Sequence, residues 1–247
     1  MTRLFLEEQE AAGGIIALGR EDSHYVSQVL RMKAGEQLTA VLKDGTEALC
    51  EVGNITKDSV SLRIMSTYVN TSEPPYGITL YQSVSKGERM ELTIQKCVEL
   101  GVTRIVPVFS MRCVVRQDEP KKQLLKTQRW QKIALEAARQ SGRGIIPEVT
   151  APMVLKKALE SVSGADVVLF PWEEEHGKTL KQALAQIDKN SINEIAVFIG
   201  PEGGYDEQEA SMAEELGAIP VSLGKRILRT ETAGASVLAM LLYEFEL

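Results

Sequence analysis

Apolar and polar positions alternate with a short period over the first 66 residues. The runs 37–42 and 47–52 flank Lys43, Asp44, Gly45 and Thr46. An Asp-Gly pair between two such runs predicts a hairpin with a type I′ turn, which needs positive φ at both central residues. Residues 59–65 alternate as a third strand would, and a short helix is predicted within 22–31. Together these predict a small, partly open β-barrel. The stretch 68–77, with Pro74, Pro75 and Gly77, then breaks the pattern and reads as a linker. It divides the chain into domains 1–70 and 71–247.

Beyond the linker the period changes. Residues 78–84, 104–109, 166–170, 194–199 and 219–223 read as short apolar strands. Helical spacing appears at Met90, Ile94, Cys97 and Val98, with Gly101 placed to end that helix. It appears again at Trp130, Ile133, Ala134, Ala137 and Ala138 within 123–141. Further helices are predicted near 153–162, 178–188, 207–216 and 232–245. Short strands alternating with amphipathic helices predict an α/β domain, a mostly parallel sheet covered on both faces. Ligands bind such sheets beyond the carboxyl ends of the strands. Three unusual loops fall there, at 171–173, 200–204 and 224–230.

Composition narrows the picture. The chain has 247 residues, 44% hydrophobic and 25% charged, as a globular protein should. No apolar run reaches membrane-spanning length, and the acidic start lacks the apolar stretch of a secretory signal. Cys50, Cys97 and Cys113 lie far apart, and His24 and His176 are too few for a histidine metal site. A reduced, cytoplasmic setting without a metal is expected. The net charge of −6 argues mildly against nucleic acid. Residues 121–147 argue the other way, with Lys121, Lys122, Lys126, Arg129, Lys132, Arg139 and Arg143 against the single acid Glu136. A solvated helix face explains that run as well. Arg139 and Arg143 share a helical face if the helix continues that far, whereas Gly142 would end it. Arg31 and Lys33 form a smaller basic cluster in the barrel.

The loops carry the chemistry. No glycine-rich dinucleotide fingerprint and no P-loop occurs. Residues 199–204, IGPEGG, follow a strand and precede a helix. Glycine admits close backbone approach to a ligand, Pro201 stiffens the turn, and Glu202 offers a carboxylate. An ordinary Gly/Pro turn fits the composition equally well. Asp206 and Glu209 have the spacing of a capping box. Residues 223–233 place Arg226, Arg229, Thr230, Glu231 and Thr232 beside Ile227 and Leu228, an apolar pair fit to flank an adenine ring. Trp172 reads as packing, and Lys86, Glu88 and Arg89 as a solvated helix start.

These segments, with Val29-Leu-Arg31, KGERME over 86–91, QKCVELG over 95–101, WQKI over 130–133 and EAARQSGR over 136–143, resemble the ribosomal RNA small-subunit methyltransferase E family, of the SPOUT superfamily. The likeness spans nearly the whole chain. It implies a PUA-like barrel that helps bind RNA, then a SPOUT-type parallel sheet with a deep trefoil knot. It implies a homodimer that uses S-adenosyl-L-methionine to methylate uridine N3 in 16S ribosomal RNA, free or within the assembled small subunit. Another rRNA position, or RNA binding without catalysis, is the alternative. By the resemblance, the cofactor residues are Phe170, Pro171 and Glu173; Ile199, Gly200, Pro201, Glu202 and Gly203; and Leu223, Gly224, Ile227, Leu228, Arg229, Thr230, Thr232 and Ala233. Loss of the uracil imide proton calls for a base and a cation, with Glu202 or Glu231 the candidates for the base and Arg229, Arg226 or an arginine of a second subunit the candidates for the cation. Structural work, capping a turn or anchoring an arginine, is the other reading of either glutamate. Arg3, Arg31, Arg112, Arg116, Arg139 and Arg143 are the candidates for RNA contact. Cys113 departs from the family, which has serine there.

Overall fold

A computed structural model describes residues 2–6, 13–56, 59–116, 119–162 and 164–247. The chain forms two compact units, Met1–Glu73 with Arg139–Ile145, and Pro74–Ala138 with Ile146–Leu247.

The first unit holds strands β1 (Arg3–Phe5), β2 (Ile15–Ala17), β3 (Gln37–Val41), β4 (Thr46–Ile55) and β5 (Val60–Val69). They form one sheet in the order β1-β3-β4-β5-β2, open between its edge strands among the described residues. Helix α1 (Arg20–His24) continues into a π-helical turn over Tyr25–Val29. Alternate side chains of the strands, with Leu4, Ile16, Leu38, Cys50 and Leu62, bury a single apolar core. The β3–β4 hairpin differs from expectation. Gly45 has φ +81°, but Asp44 is not among the residues with positive φ. Gly45 N–H donates to Leu42 C=O at 2.9 Å, and Leu42 N–H to Thr46 C=O at 2.8 Å. The loop is therefore three residues long, a tight turn closed by a left-handed glycine, not the two-residue type I′ turn. The Asp44 carboxylate accepts Thr46 N–H at 2.9 Å, which stabilises this alternative.

The second unit carries β6 (Gly77–Ser83), α2 (Glu88–Glu99), β7 (Arg104–Phe109), α3 (Pro120–Ser141), β8 (Glu148–Val149), β9 (Met153–Val154), α4 (Leu155–Glu160), β10 (Val167–Pro171), α5 (Leu180–Leu184), β11 (Glu194–Ile199), α6 (Glu207–Glu215), β12 (Ile219–Val221) and α7 (Thr230–Phe245). The last turn of α3 is counted with the first unit. The sheet runs β12-β10-β11-β6-β7-β8, with β9 also on β7. Every strand pair in it is parallel. One face is covered by a core that includes Tyr81, Val108, Leu159, Phe170, Phe198 and Tyr205. Rings stack within it, Tyr81 on Phe198 at 4.3 Å and Phe170 on Tyr205 at 4.2 Å. Helix α2 buries Met90, Thr93, Ile94, Cys97 and Val98, the stripe its spacing predicts. Helix α7 buries Gly234, Val237, Leu238 and Leu241 and packs on α2 and β11. The strands β8 and β9 carry no strand signal in the sequence. Both are two residues long, too short to show a period.

Candidate functional site

Strands β12, β10 and β11 are neighbours, so their carboxyl ends bring three loops together although they lie far apart in sequence. The loops enclose a cleft of about 630 Å³. From the first loop come Pro171, Trp172, Glu173 and His176. The second contributes Ile199, Gly200, Pro201, Glu202 and Gly204. The third contributes residues 222–231 and Ala233, among them Leu223, Gly224, Ile227, Leu228, Arg229 and Thr230. Three residues expected here line no part of it. Phe170 is fully buried in the core behind the cleft. Gly203 sits against Arg112, where an added Cβ would meet Arg112 Cβ at 3.2 Å. Thr232 points outward from the first turn of α7, exposed to solvent.

The loops are held by specific bonds. The Thr230 hydroxyl donates to Gly200 C=O at 2.6 Å and accepts from the Gln82 amide at 2.8 Å. One buried side chain thus ties the third loop to the second and to β6. Gly204 has φ +68°, a conformation that favours glycine, and the Glu173 carboxylate occupies the space a Cβ would need. The capping box is present: the Asp206 carboxylate accepts Glu209 N–H, and the Glu209 carboxylate accepts Asp206 N–H. Glu209 also accepts Met111 N–H at 2.7 Å, while burial pushes its carboxyl above the usual range.

Glu202 does not have the surroundings of a base. Its Oε1 accepts Lys86 N–H at 3.2 Å and an Arg89 N–H at 2.9 Å. Partial burial pushes its carboxyl up, but these backbone and guanidinium donors outweigh burial and hold it below its ordinary value. The carboxylate is thereby a weaker proton acceptor, fixed as an anchor for the start of α2. Arg229, the expected cation, has a side chain 81% exposed, and its nearest carboxylate, Glu231, lies at 4.0 Å.

The arginines expected to meet RNA fall into different settings. Gly142, at φ +79°, ends α3, so Arg143 leaves the helix and does not share a face with Arg139. Arg143 is 2% exposed and bonds the Glu73 carboxylate through Nε and a terminal nitrogen at 2.6–2.9 Å. Its guanidinium is a buried strut and is not presented to a phosphate. Arg3 is similarly engaged, with the Glu47 carboxylate and, at 3.1 Å, with Arg143 C=O. Arg139 stacks over the Tyr25 ring at 4.3 Å. Arg112 braces the glycine loop, donating to the carbonyls of Gly203 and Tyr205 at 3.2 and 3.3 Å. Arg31 and Arg116 are exposed, as are Lys121 and Lys122. Arg31 is the only non-glycine residue with positive φ among those described. At the departure from the family, Cys113 Sγ lies 3.3 Å from the Ser110 hydroxyl, so the thiol keeps a weak polar contact there.

Two cleft residues escape sequence reasoning. Arg89 reads as a solvated helix start, yet it lines the cleft beside Glu202. His176 reads only as one of two histidines too few for a metal, yet it lines the cleft as well. A signal for Arg89 does exist: it lies shortly after the carboxyl end of a strand, where such sheets bind ligands.

Comparison with known proteins agrees with this architecture. A family profile described as an RNA methyltransferase domain matches residues 72–242, and one described as an RNA methyltransferase PUA domain matches 18–65. The chain is 32% identical to ribosomal RNA small subunit methyltransferase E of Bacillus subtilis, over all of this chain and 98% of that protein. It is 30% identical to the protein of the same name from Aquifex aeolicus, covering 97% and 98% of the two chains. The crystal structure of the Neisseria gonorrhoeae enzyme of that name, bound to S-adenosyl methionine, superposes with a TM-score of 0.86 at 34% identity, covering 98% of this chain and 97% of that one. With a matching cleft-bearing parallel sheet and a match along its whole length, the chain belongs to the RNA methyltransferase family, with a PUA domain ahead of the methyltransferase domain.

Proposed function

We propose that this protein transfers the methyl group of S-adenosyl-L-methionine to N3 of a uridine in 16S ribosomal RNA. The observation that carries the reading is the cleft, built from the loops that resemblance assigns to the cofactor. Its volume of about 630 Å³ lies in the range of small-molecule sites. Its lining suits the cofactor chemically. Leu223, Ile227 and Leu228 offer apolar surface for an adenine, with Ile227 86% exposed. Glu173 and Glu231 supply negative charge for a cationic ligand. The cofactor supplies an electrophilic methyl on a sulfonium. The protein's residues orient the two reactants and stabilise the uracil as its imide proton leaves.

The partners follow from the same chemistry. Exposed basic residues offer RNA contacts in each unit, Arg31 in the first and Arg116, Lys121 and Lys122 in the second, and an rRNA substrate implies the cytoplasm. No helix among the described residues is long and apolar enough to cross a membrane. Alanine at Lys121 and Lys122 together is expected to weaken RNA binding and to flatten its salt dependence, by roughly one in log–log slope for each phosphate no longer neutralised. A homodimer accords with the apolar side chains left exposed on α2 and α7, Leu92 at 44% and Tyr243 at 75%. A knotted C-terminus accords with the path of the chain, which returns from β12 at one sheet edge to pack α7 on α2 and β11. Mass spectrometry of rRNA nucleosides from cells with and without the gene tests the function. Loss of 3-methyluridine is expected, and its persistence, or loss of a ribose methylation instead, would refute the reading.

A further inference from the structure

We propose that Arg89 is a catalytic residue that holds the negative charge developing on the target uracil, and that Glu202 is a positioning residue that aims it. The inference rests on the N3-methylation reading above and names groups that reading leaves open.

The cleft offers several cations, Arg89, Lys225, Arg226 and Arg229. They differ in how they are held. Arg229 extends into solvent without a close partner, as its 81% exposure and 4.0 Å ion pair show. Arg89 rises from the first turn of α2, a helix held in place by five buried residues and packed on α7. One of its five N–H donors meets Glu202 at 2.9 Å, and its side chain stays 47% exposed at the cleft. The Glu202 oxygen that takes this bond also takes Lys86 N–H, so the carboxylate is fixed from two directions. A guanidinium held this way is preorganised. It meets developing charge without reorganising, which is where electrostatic catalysis gains most. Its remaining N–H donors suit a carbonyl oxygen onto which the anion delocalises, which leaves the in-plane N3 lone pair free to attack.

The step balances. The N3 proton leaves to water, and the N3 lone pair forms the new N–C bond. The C–S bond breaks with its electron pair left on sulfur, so the sulfonium becomes a thioether and the uracil ends neutral. Arg89 keeps its proton throughout. Glu202 holds no transferred proton; its Oε1 already accepts Lys86 N–H and Arg89.

The test uses an RNA hairpin carrying 5-fluorouridine at the target position, bound to the full-length protein with S-adenosylhomocysteine. Fluorine NMR across a pH titration reads the N3 ionisation midpoint directly, and calorimetry reads cofactor affinity. With the wild type, the bound midpoint is expected to fall about 1–3 pH units below that of free RNA. Arg89→Ala should return it to the free value with cofactor affinity unchanged, and Glu202→Gln should leave it between the two. On ordinary uridine RNA, Arg89→Ala should slow single-turnover transfer by roughly 10²–10³-fold. The more acidic fluorinated base should recover part of that loss. Arg89→Lys, which keeps the charge and loses the fork, should fall between wild type and alanine and serves if the alanine variant does not fold. The proposal is overturned if wild type and Arg89→Ala share one midpoint, or if the arginine variants lose cofactor affinity instead. Failure of the wild type to methylate N3 in either RNA would overturn the functional reading itself.

Discussion

Arg143 and Arg89 each meet a glutamate, but the first is 2% exposed and bonds Glu73 through two nitrogens, while the second is 47% exposed and spends one nitrogen on Glu202. Both stand in segments that resemble the same family. Burial separates their work. Around Arg143, Glu73 also accepts Gly144 N–H at 2.7 Å, so every oxygen is committed to holding the chain in place. At Arg89 the charge is fixed on one side and open on the other, the arrangement of a group that meets a ligand.

The largest effect expected on stability comes from breaking the buried pair. Glu73→Ala removes the carboxylate that the buried Arg143 bonds through two nitrogens and should cost about 3–5 kcal/mol in urea unfolding. A loss under about 1 kcal/mol would mean that the pair is solvated and the contrast false. Thr230→Val removes a donor to Gly200 and an acceptor for Gln82 in a buried setting, at an expected cost of about 1–3 kcal/mol, with weaker cofactor binding by calorimetry. Thr230→Ser should restore both, and failure to do so would assign the loss to packing. The smallest effect is expected at Arg89→Ala, about 0–1 kcal/mol, because an exposed pair stabilises little. Its contribution has a pH signature. The folded Glu202 carboxyl lies below its unfolded value, so whatever stability the tether gives is present above the ordinary carboxylate range and is lost as pH falls through the lower folded value. Comparing wild type and Glu202→Gln in acid unfolding reads this, and identical curves would show that the tether adds nothing to stability.

Local patterns are legible in the sequence, and distant pairings are not. The stripe on α2, the capping box of Asp206 and Glu209, and the placing of loops at the ligand edge all depend on residues within a turn or a strand of each other. The hairpin at Asp44 departs from expectation because the same dipeptide serves two loop lengths, and a bond from Thr46 N–H to the Asp44 carboxylate favours the longer. Arg89 reads as solvated because its partner Glu202 lies 113 residues away. Arg143 reads as a phosphate contact because its partner Glu73 lies 70 residues away. Charge alone carries no mark of burial, and the exposed lysines of α3 and the buried Arg143 belong to one basic run.

Methyl transfer to uridine N3 is tested most directly with the purified protein, S-adenosylmethionine labelled in the methyl group, and unmodified small ribosomal subunits or their 16S RNA. Mass spectrometry then identifies the labelled nucleosides. Label in 3-methyluridine at a single position is the predicted result. Label in a ribose methyl or another base, or no label with either substrate while the cofactor binds, would contradict it.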